Sequence, residues 1–252
     1  MKIVVFDLDE TLGHFTDIYM FYEYFLMIQN GLSTKTFKEL FDLFPDLIRP
    51  NLINVLNFIK RQCKQRTCDG VVVYTNNNAG SKWVNHILDY LNNKINYKLF
   101  NKTILSFKQH GLLNEVCRSS RLKCMTDFRR CTGLPLDTNI CYIDDVYYPQ
   151  MDNVGVYYIC IKPFIHKIDM ETMISRVSSS TYFQKFIKNM TIFRKDLLSK
   201  GAYNSSSSKT YKEDKEIGII LLQYIKEFFQ QSTLHTRKQK RKQSSSTTRK
   251  RR

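Results

Sequence analysis

Four short apolar runs constrain this chain most. KIVVFDL (2–8), GVVVYT (70–75), NICYID (139–144) and VYYICI (156–161) are each six or seven residues long and almost unbroken in hydrophobicity. A strand with no polar face is one buried on both sides, as in a parallel sheet covered by helices. The intervening segments carry apolar residues three and four apart, the spacing of an amphipathic helix: TFKELFDLF (36–44), NLINVLNFIKRQ (51–62), SKWVNHILDYLNN (81–93) and KCMTDFRRCTG (123–133). Pro50 suits a first helical turn and Gly133 a helix end. This alternation predicts an α/β fold built on a doubly wound parallel sheet, with YKLF (97–100) as a further short strand.

The first three runs end on oxygen-bearing side chains, Asp7, Thr75 and Asp144. The carboxyl ends of parallel strands are where an open α/β sheet gathers its functional groups. Residues two apart in a strand share a side, so Asp7 and Asp9 can face one pocket. Asp144 and Asp145 bring two more carboxylates. Burying like charges together is costly unless a cation or a reaction compensates. Four convergent acids suit a hard cation such as Mg²⁺, which takes oxygen ligands and favours phosphate substrates.

The same residues carry a family resemblance. DLDET (7–11) resembles the D-x-D-x-T signature of phosphatases of the haloacid dehalogenase (HAD) superfamily, and VVVYT resembles their second motif, an apolar strand ending in Ser or Thr. Lys123, with Arg118 and Arg121 close in sequence, occupies the zone of the third-motif cation, and YIDD resembles the acidic fourth motif. All four stand in the family's order. DLDETL with a histidine soon after, and RPNLINVLNFIK before the second strand, are similar to the RNA polymerase II C-terminal-domain phosphatases and the NLI-interacting-factor group. RCTGLP before CYIDD, in a chain rich in Tyr and Asn, resembles divergent members carried by large DNA viruses. The likeness spans roughly residues 1–165. It departs from the pattern at TNNNAG (75–80), where close relatives have small residues leading into a helix, and in a flap that reads as helical.

The resemblance implies a Rossmann-like HAD fold and a phosphatase mechanism. Asp7 is then the nucleophile and Asp9 the acid and base. Mg²⁺ sits between Asp7, the main-chain carbonyl of Asp9 and Asp144, with Asp145 binding through water or orienting a ligand. Thr75 holds a phosphoryl oxygen and Lys123 neutralises charge. Thr11 supports the loop that carries Asp9 and, with Asn76, is placed at the substrate. His14 follows the motif, but Asp9 already fills the role of base.

The gaps from Thr11 to Gly70 and from Thr75 to Lys123 are short and partly helical, leaving no room for a large cap. An open site suits a phosphate on a macromolecule, and the expected substrate is phosphoserine or phosphothreonine in a protein. Two other readings stay open: a phosphatase of nucleic-acid ends or nucleotides, and an inactive binding protein on the same fold.

Charge bears on the first of these. The formal charge is +16, yet nine of the 39 Lys and Arg lie in the last sixteen residues, which contain no acid. That composition builds no core, and we read 235–252 as a disordered basic tail. Its clusters at 237–242 and 249–252 suit a solvated tail, a nuclear-import address or a nucleic-acid contact. Before it, 201–234 reads as a Ser-rich linker and an amphipathic helix (Ile217, Ile220, Leu221, Tyr224, Ile225, Phe228), either docked on the domain of residues 1–200 or free for a partner. The longest aliphatic stretch, IGIILL, is too short to span a bilayer, and no secretory signal opens the chain. The expectation is a soluble intracellular protein whose seven cysteines are reduced thiols, with Cys117, Cys124 and Cys131 recurring every seven residues on one helix face.

Overall fold

The computed structural model describes residues 1–29, 33–200 and 211–231. The stretch 205–208 expected as a linker and the basic tail at 235–252 lie outside them.

The chain begins with β1 (Lys2–Phe6), then α1 (Thr16–Ile28), α2 (Thr34–Asp42) and α3 (Leu52–Lys64). There follow β2 (Gly70–Tyr74), α4 (Ser81–Ile95), β3 (Lys102–Ile104) and a small hairpin of β4 (Lys108–Gln109) and β5 (Leu112–Leu113). Next come α5 (Met125–Thr132), β6 (Asn139–Asp144), β7 (Val156–Cys160), α6 (Met170–Ser179), α7 (Thr181–Gln184), α8 (Met190–Lys200) and α9 (Tyr211–Gln230). Five strands form one sheet in the order β3-β2-β1-β6-β7, every neighbour parallel. This is a Rossmann-like α/β sheet flanked by helices.

The unbroken apolar runs are explained by two cores. Val4, Phe6, Val71, Val73, Cys141 and Ile143 face a large core shared with α1–α4 and α9. Their alternates Ile3, Val5, Val72, Tyr74, Ile140 and Tyr142 face a smaller core under α5. With both faces covered, neither set can be polar. From β1 the chain builds outward through β2 to β3, then returns to lay β6 on the other side of β1. The crevice where the order reverses lies at the carboxyl ends of β1 and β6, where such sheets bind ligands.

The structure departs from the sequence expectations in three places. YKLF is not a strand: Leu99 and Phe100 are buried in an irregular turn, and pairing with β2 starts only at Lys102, opposite Val72. Cys117 and Cys131 form a disulfide, Cα–Cα 5.0 Å, rather than staying reduced. The three cysteines share no helix face: Cys131 lies in α5, Cys124 caps its start, and Cys117 lies in the preceding loop. That loop doubles back onto α5, where Arg130 Nε donates to the Cys117 carbonyl at 2.6 Å.

Helix α9 docks on α3 and β7, where Tyr157 donates to Glu227 at 3.0 Å. Its C-terminal carbonyls accept from Lys2 Nζ, 3.1 Å to Phe229 and 2.6 Å to Gln231. Among the described residues no helix is long and apolar enough to cross a membrane.

Candidate active site

Strand periodicity aims the site. Ile3 and Val5 face the α5 side, and Asp7, the next residue of that parity, ends β1 on the same side. Ile140 and Tyr142 set the same phase for Asp144 at the end of β6. Asp7 N bonds the Ile143 carbonyl at 2.9 Å, so the two strand ends stay in register up to the carboxylates. Lys123, one residue before the N-cap of α5, inserts between them. Its ammonium lies 2.5 Å from Asp7 Oδ1 and 2.7 Å from Asp144 Oδ2, and only 2% of the side chain is exposed. Tyr142 donates to the same Asp144 oxygen at 2.5 Å, and Val146 N donates to the other at 2.9 Å.

One oxygen each of Asp7, Asp144 and Asp145 falls within 4.8 Å of the others. Three carboxylates, two of them buried, crowd around one ammonium. Burial lifts Asp7 well above the usual carboxylate range; Lys123 opposes that shift and Asp144 adds to it. Asp145 is also raised, first by burial and then by Asp144. For Lys123 burial works against the charge, but Asp7 and Asp144 outweigh it and hold the proton more firmly. Hard oxygen donors with unmet negative charge fit a divalent cation such as Mg²⁺.

The Asp9 carboxylate is outside this cluster, so of the four convergent acids three gather here. The loop after Asp7 turns it away: Glu10 takes a left-handed φ of 54°, and Asp9 Oδ2 accepts from Asn77 Nδ2 at 2.8 Å. Burial raises Asp9 to about 6, against the bond from Asn77. Beside it opens a groove of about 290 Å³ with Glu10, Tyr19, Asn77 and Trp83 in its walls.

Thr75 ends β2 almost fully buried, its Oγ1 accepting from Asn77 N at 3.0 Å. The two residues placed at the substrate are otherwise engaged. Thr11 is 1% exposed and exchanges hydrogen bonds with Asp145, at 3.2 and 3.1 Å. Its hydroxyl is thus committed to Asp145. Asn76 donates to the Tyr148 hydroxyl and accepts from Arg118 Nη2. Of the three cations near the third motif, Lys123 alone reaches the carboxylates. Arg121 is exposed, and Arg118 is buried on the main-chain carbonyls of Thr75, Leu105 and Arg121.

Two residues that hold the loops of this site received no role from the sequence. Arg49 is buried and donates to the carbonyls of Thr11 (2.7 Å), Glu10 (2.5 Å) and Lys162 (2.9 Å), clamping the loop beyond Asp9. It opens RPNLINVLNFIK, a stretch already singled out, but nothing local told what the arginine would hold. Asn77 is one of three consecutive asparagines, and nothing local tells them apart.

Compared with protein-family models, curated proteins and solved structures, the chain finds no match.

Proposed function

We propose that this chain is a Mg²⁺-dependent phosphoric monoester hydrolase of the HAD type, acting on phosphoserine or phosphothreonine in proteins. The reading rests above all on the Lys123 ammonium, buried between two strand-end carboxylates at the crevice where the strand order reverses. A fixed cation beside a nucleophilic carboxylate suits phosphoryl transfer, where charge builds on the transferring group.

In the proposed mechanism, a carboxylate oxygen of Asp7 bonds to phosphorus while the bond from phosphorus to the ester oxygen breaks. Asp9 gives its proton to that departing oxygen. Water then attacks the aspartyl-phosphate and loses a proton to Asp9, releasing phosphate and restoring Asp7. Dividing the displacement this way replaces one hard step with two easier ones. Acid–base assistance of this kind contributes about 10²–10⁴-fold. Lys123 holds Asp7 and steadies the charge that develops. Asp7, Asp144 and Asp145 would hold Mg²⁺, together with the Asp9 carbonyl. Bound there, the ion would supply positive charge that favours the ionised form of Asp7 and offsets the charge of a phosphoryl group.

The groove favours protein over nucleic acid as substrate. Glu10 in its wall repels flanking phosphates of a polynucleotide, while the half-buried Tyr19 offers aromatic surface to a side chain.

The test uses wild type and Asp7→Asn with a nitrophenyl phosphate, in Mg²⁺ and in chelator. Phosphoserine peptides and a 3′-phosphorylated oligonucleotide follow. Turnover that needs both Asp7 and Mg²⁺ and prefers the peptide is the expected result. Folded wild type inactive on every substrate overturns the reading, and preference for the oligonucleotide overturns its substrate class.

A further inference from the structure

We propose that Asn77 is a positioning residue that decides which oxygen of Asp9 handles the proton. The inference rests on the phosphatase reading above and adds a residue to its machinery.

The Asn77 side chain is held so that it has one orientation. Its Oδ1 accepts from Ala79 N at 2.9 Å. A backbone N–H can only donate, so the amide atom facing it is the oxygen. The amide nitrogen therefore faces Asp9 and donates to Oδ2 at 2.8 Å. The backbone of Asn77 is held as well, its N–H donating to Thr75 Oγ1 at 3.0 Å. Downstream, Gly80 takes φ +94° and gives way to α4, and a Cβ there would meet the Gln109 side chain at 2.8 Å. The turn is thus held at both ends.

An amide nitrogen accepts no hydrogen bond. Asp9 Oδ2 is consequently an acceptor whether or not the carboxyl is protonated, and a proton on Asp9 sits on Oδ1. Asp9 and Asn77 both line the groove of about 290 Å³, the open space beside the acid. Asn77 thereby dedicates Oδ1 to the reaction. It also links Thr75, the phosphoryl-binding hydroxyl, to the acid through one residue.

This assignment has a kinetic signature. In the first step the Oδ1 proton moves to the leaving oxygen as the phosphorus–oxygen bond breaks and the Asp7–phosphorus bond forms. A nitrophenolate leaves without much help, whereas a seryl oxygen needs the proton. In the second step water gives its proton to Oδ1 as the Asp7–phosphorus bond breaks, whatever the first leaving group was.

Asn77→Asp is the first variant. It retains an acceptor for Ala79 N and its own backbone N–H, but it turns a carboxyl oxygen toward Asp9 Oδ2 and adds a like charge there. Asn77→Ala is the second variant, and thermal unfolding establishes that each is folded. The substrates are aryl phosphates from nitrophenyl to phenyl, and a phosphoserine peptide. We expect kcat/KM to fall about 10-fold or less on nitrophenyl phosphate and about 10²–10³-fold on the peptide, within the range of a lost general acid. Acid quench during nitrophenyl phosphate turnover should trap more phosphoenzyme in the variants than in wild type. Equal losses across all leaving groups, or Asn77→Ala as active as wild type, overturn the proposal. Wild type without turnover on any of these substrates instead overturns the phosphatase reading and takes this inference with it.

Discussion

A lysine carries the most charge-dependent contact of the site. Lys123 is surrounded by protein, yet two carboxylates hold its proton in place. Removing one partner of a buried charge cluster is far costlier than removing an exposed pair, about 3–5 kcal/mol. Lys123→Met keeps the bulk and removes the charge. It should destabilise the protein by roughly that amount in urea unfolding and abolish turnover. Added Mg²⁺ should restore part of the stability and none of the activity. An unchanged urea midpoint would contradict this account. His14 offers a second test at this scale. It lies 3.4 Å from Glu10 and 3.6 Å from Asp17. Burial opposes its charge, but Asp17 and Glu10 outweigh burial and raise it from 6.5 to about 9. A folded pKa above the unfolded one stabilises fully below about pH 6.5, and that contribution disappears as pH rises through about 9. The stability gap between wild type and His14→Gln should therefore be widest near pH 6 and shrink by pH 10. A gap independent of pH would remove the ionic role.

At the scale of elements, legibility depended on how each segment is buried. Helices α3 and α4 have one buried face and one wet face, so their period is visible in the sequence. Helix α1 is enclosed by α2, α8 and the aromatic cluster of Phe37, Trp83 and Phe193, so its burial hides its period. Helix α9 showed its apolar stripe but not its docking site, because the surface it covers is made by β7 and by the distant α3. One such contact is Asn51 Nδ2 to the Gly218 carbonyl, with a sequence separation of 167. Gly218 gives a prediction opposed to intrinsic propensity. Alanine in a helix interior ordinarily gains roughly 0.5–1 kcal/mol over glycine. A Cβ at Gly218 would lie 2.1 Å from the Pro50 carbonyl oxygen, which is backbone and cannot swing away. Gly218→Ala should therefore lower Tm, with a cost of about 1–3 kcal/mol typical of overpacking. A raised Tm would show that α9 does not pack this closely on α3.

On the whole-molecule scale, the fold brings a negative centre together inside a basic chain. The described site holds three clustered carboxylates, while the full sequence carries +16. A cation that binds only the folded state stabilises it by mass action, about 2.7 kcal/mol at a hundred times Kd. Mg²⁺ should therefore raise Tm by several degrees, and Asp145→Asn should reduce the gain. No shift in wild type at millimolar Mg²⁺ would count against the metal site.

The sequence alone determined the class of fold and the acids of the site. Apolar runs with no polar face require a sheet covered on both sides, and parity along β1 and β6 carries Asp7 and Asp144 onto one face. Those are local properties, written in periods of two and of three to four residues. Only the tertiary structure decided the partners. Lys123 over Arg118, Thr11 on Asp145, Asn77 on Asp9 and Arg49 on the motif loop are contacts between residues 38 to 134 positions apart, apart from the choice among neighbouring cations. The disulfide between Cys117 and Cys131 likewise depends on a loop folding back. Such pairings depend on how the layers pack, and no local period in the chain records them.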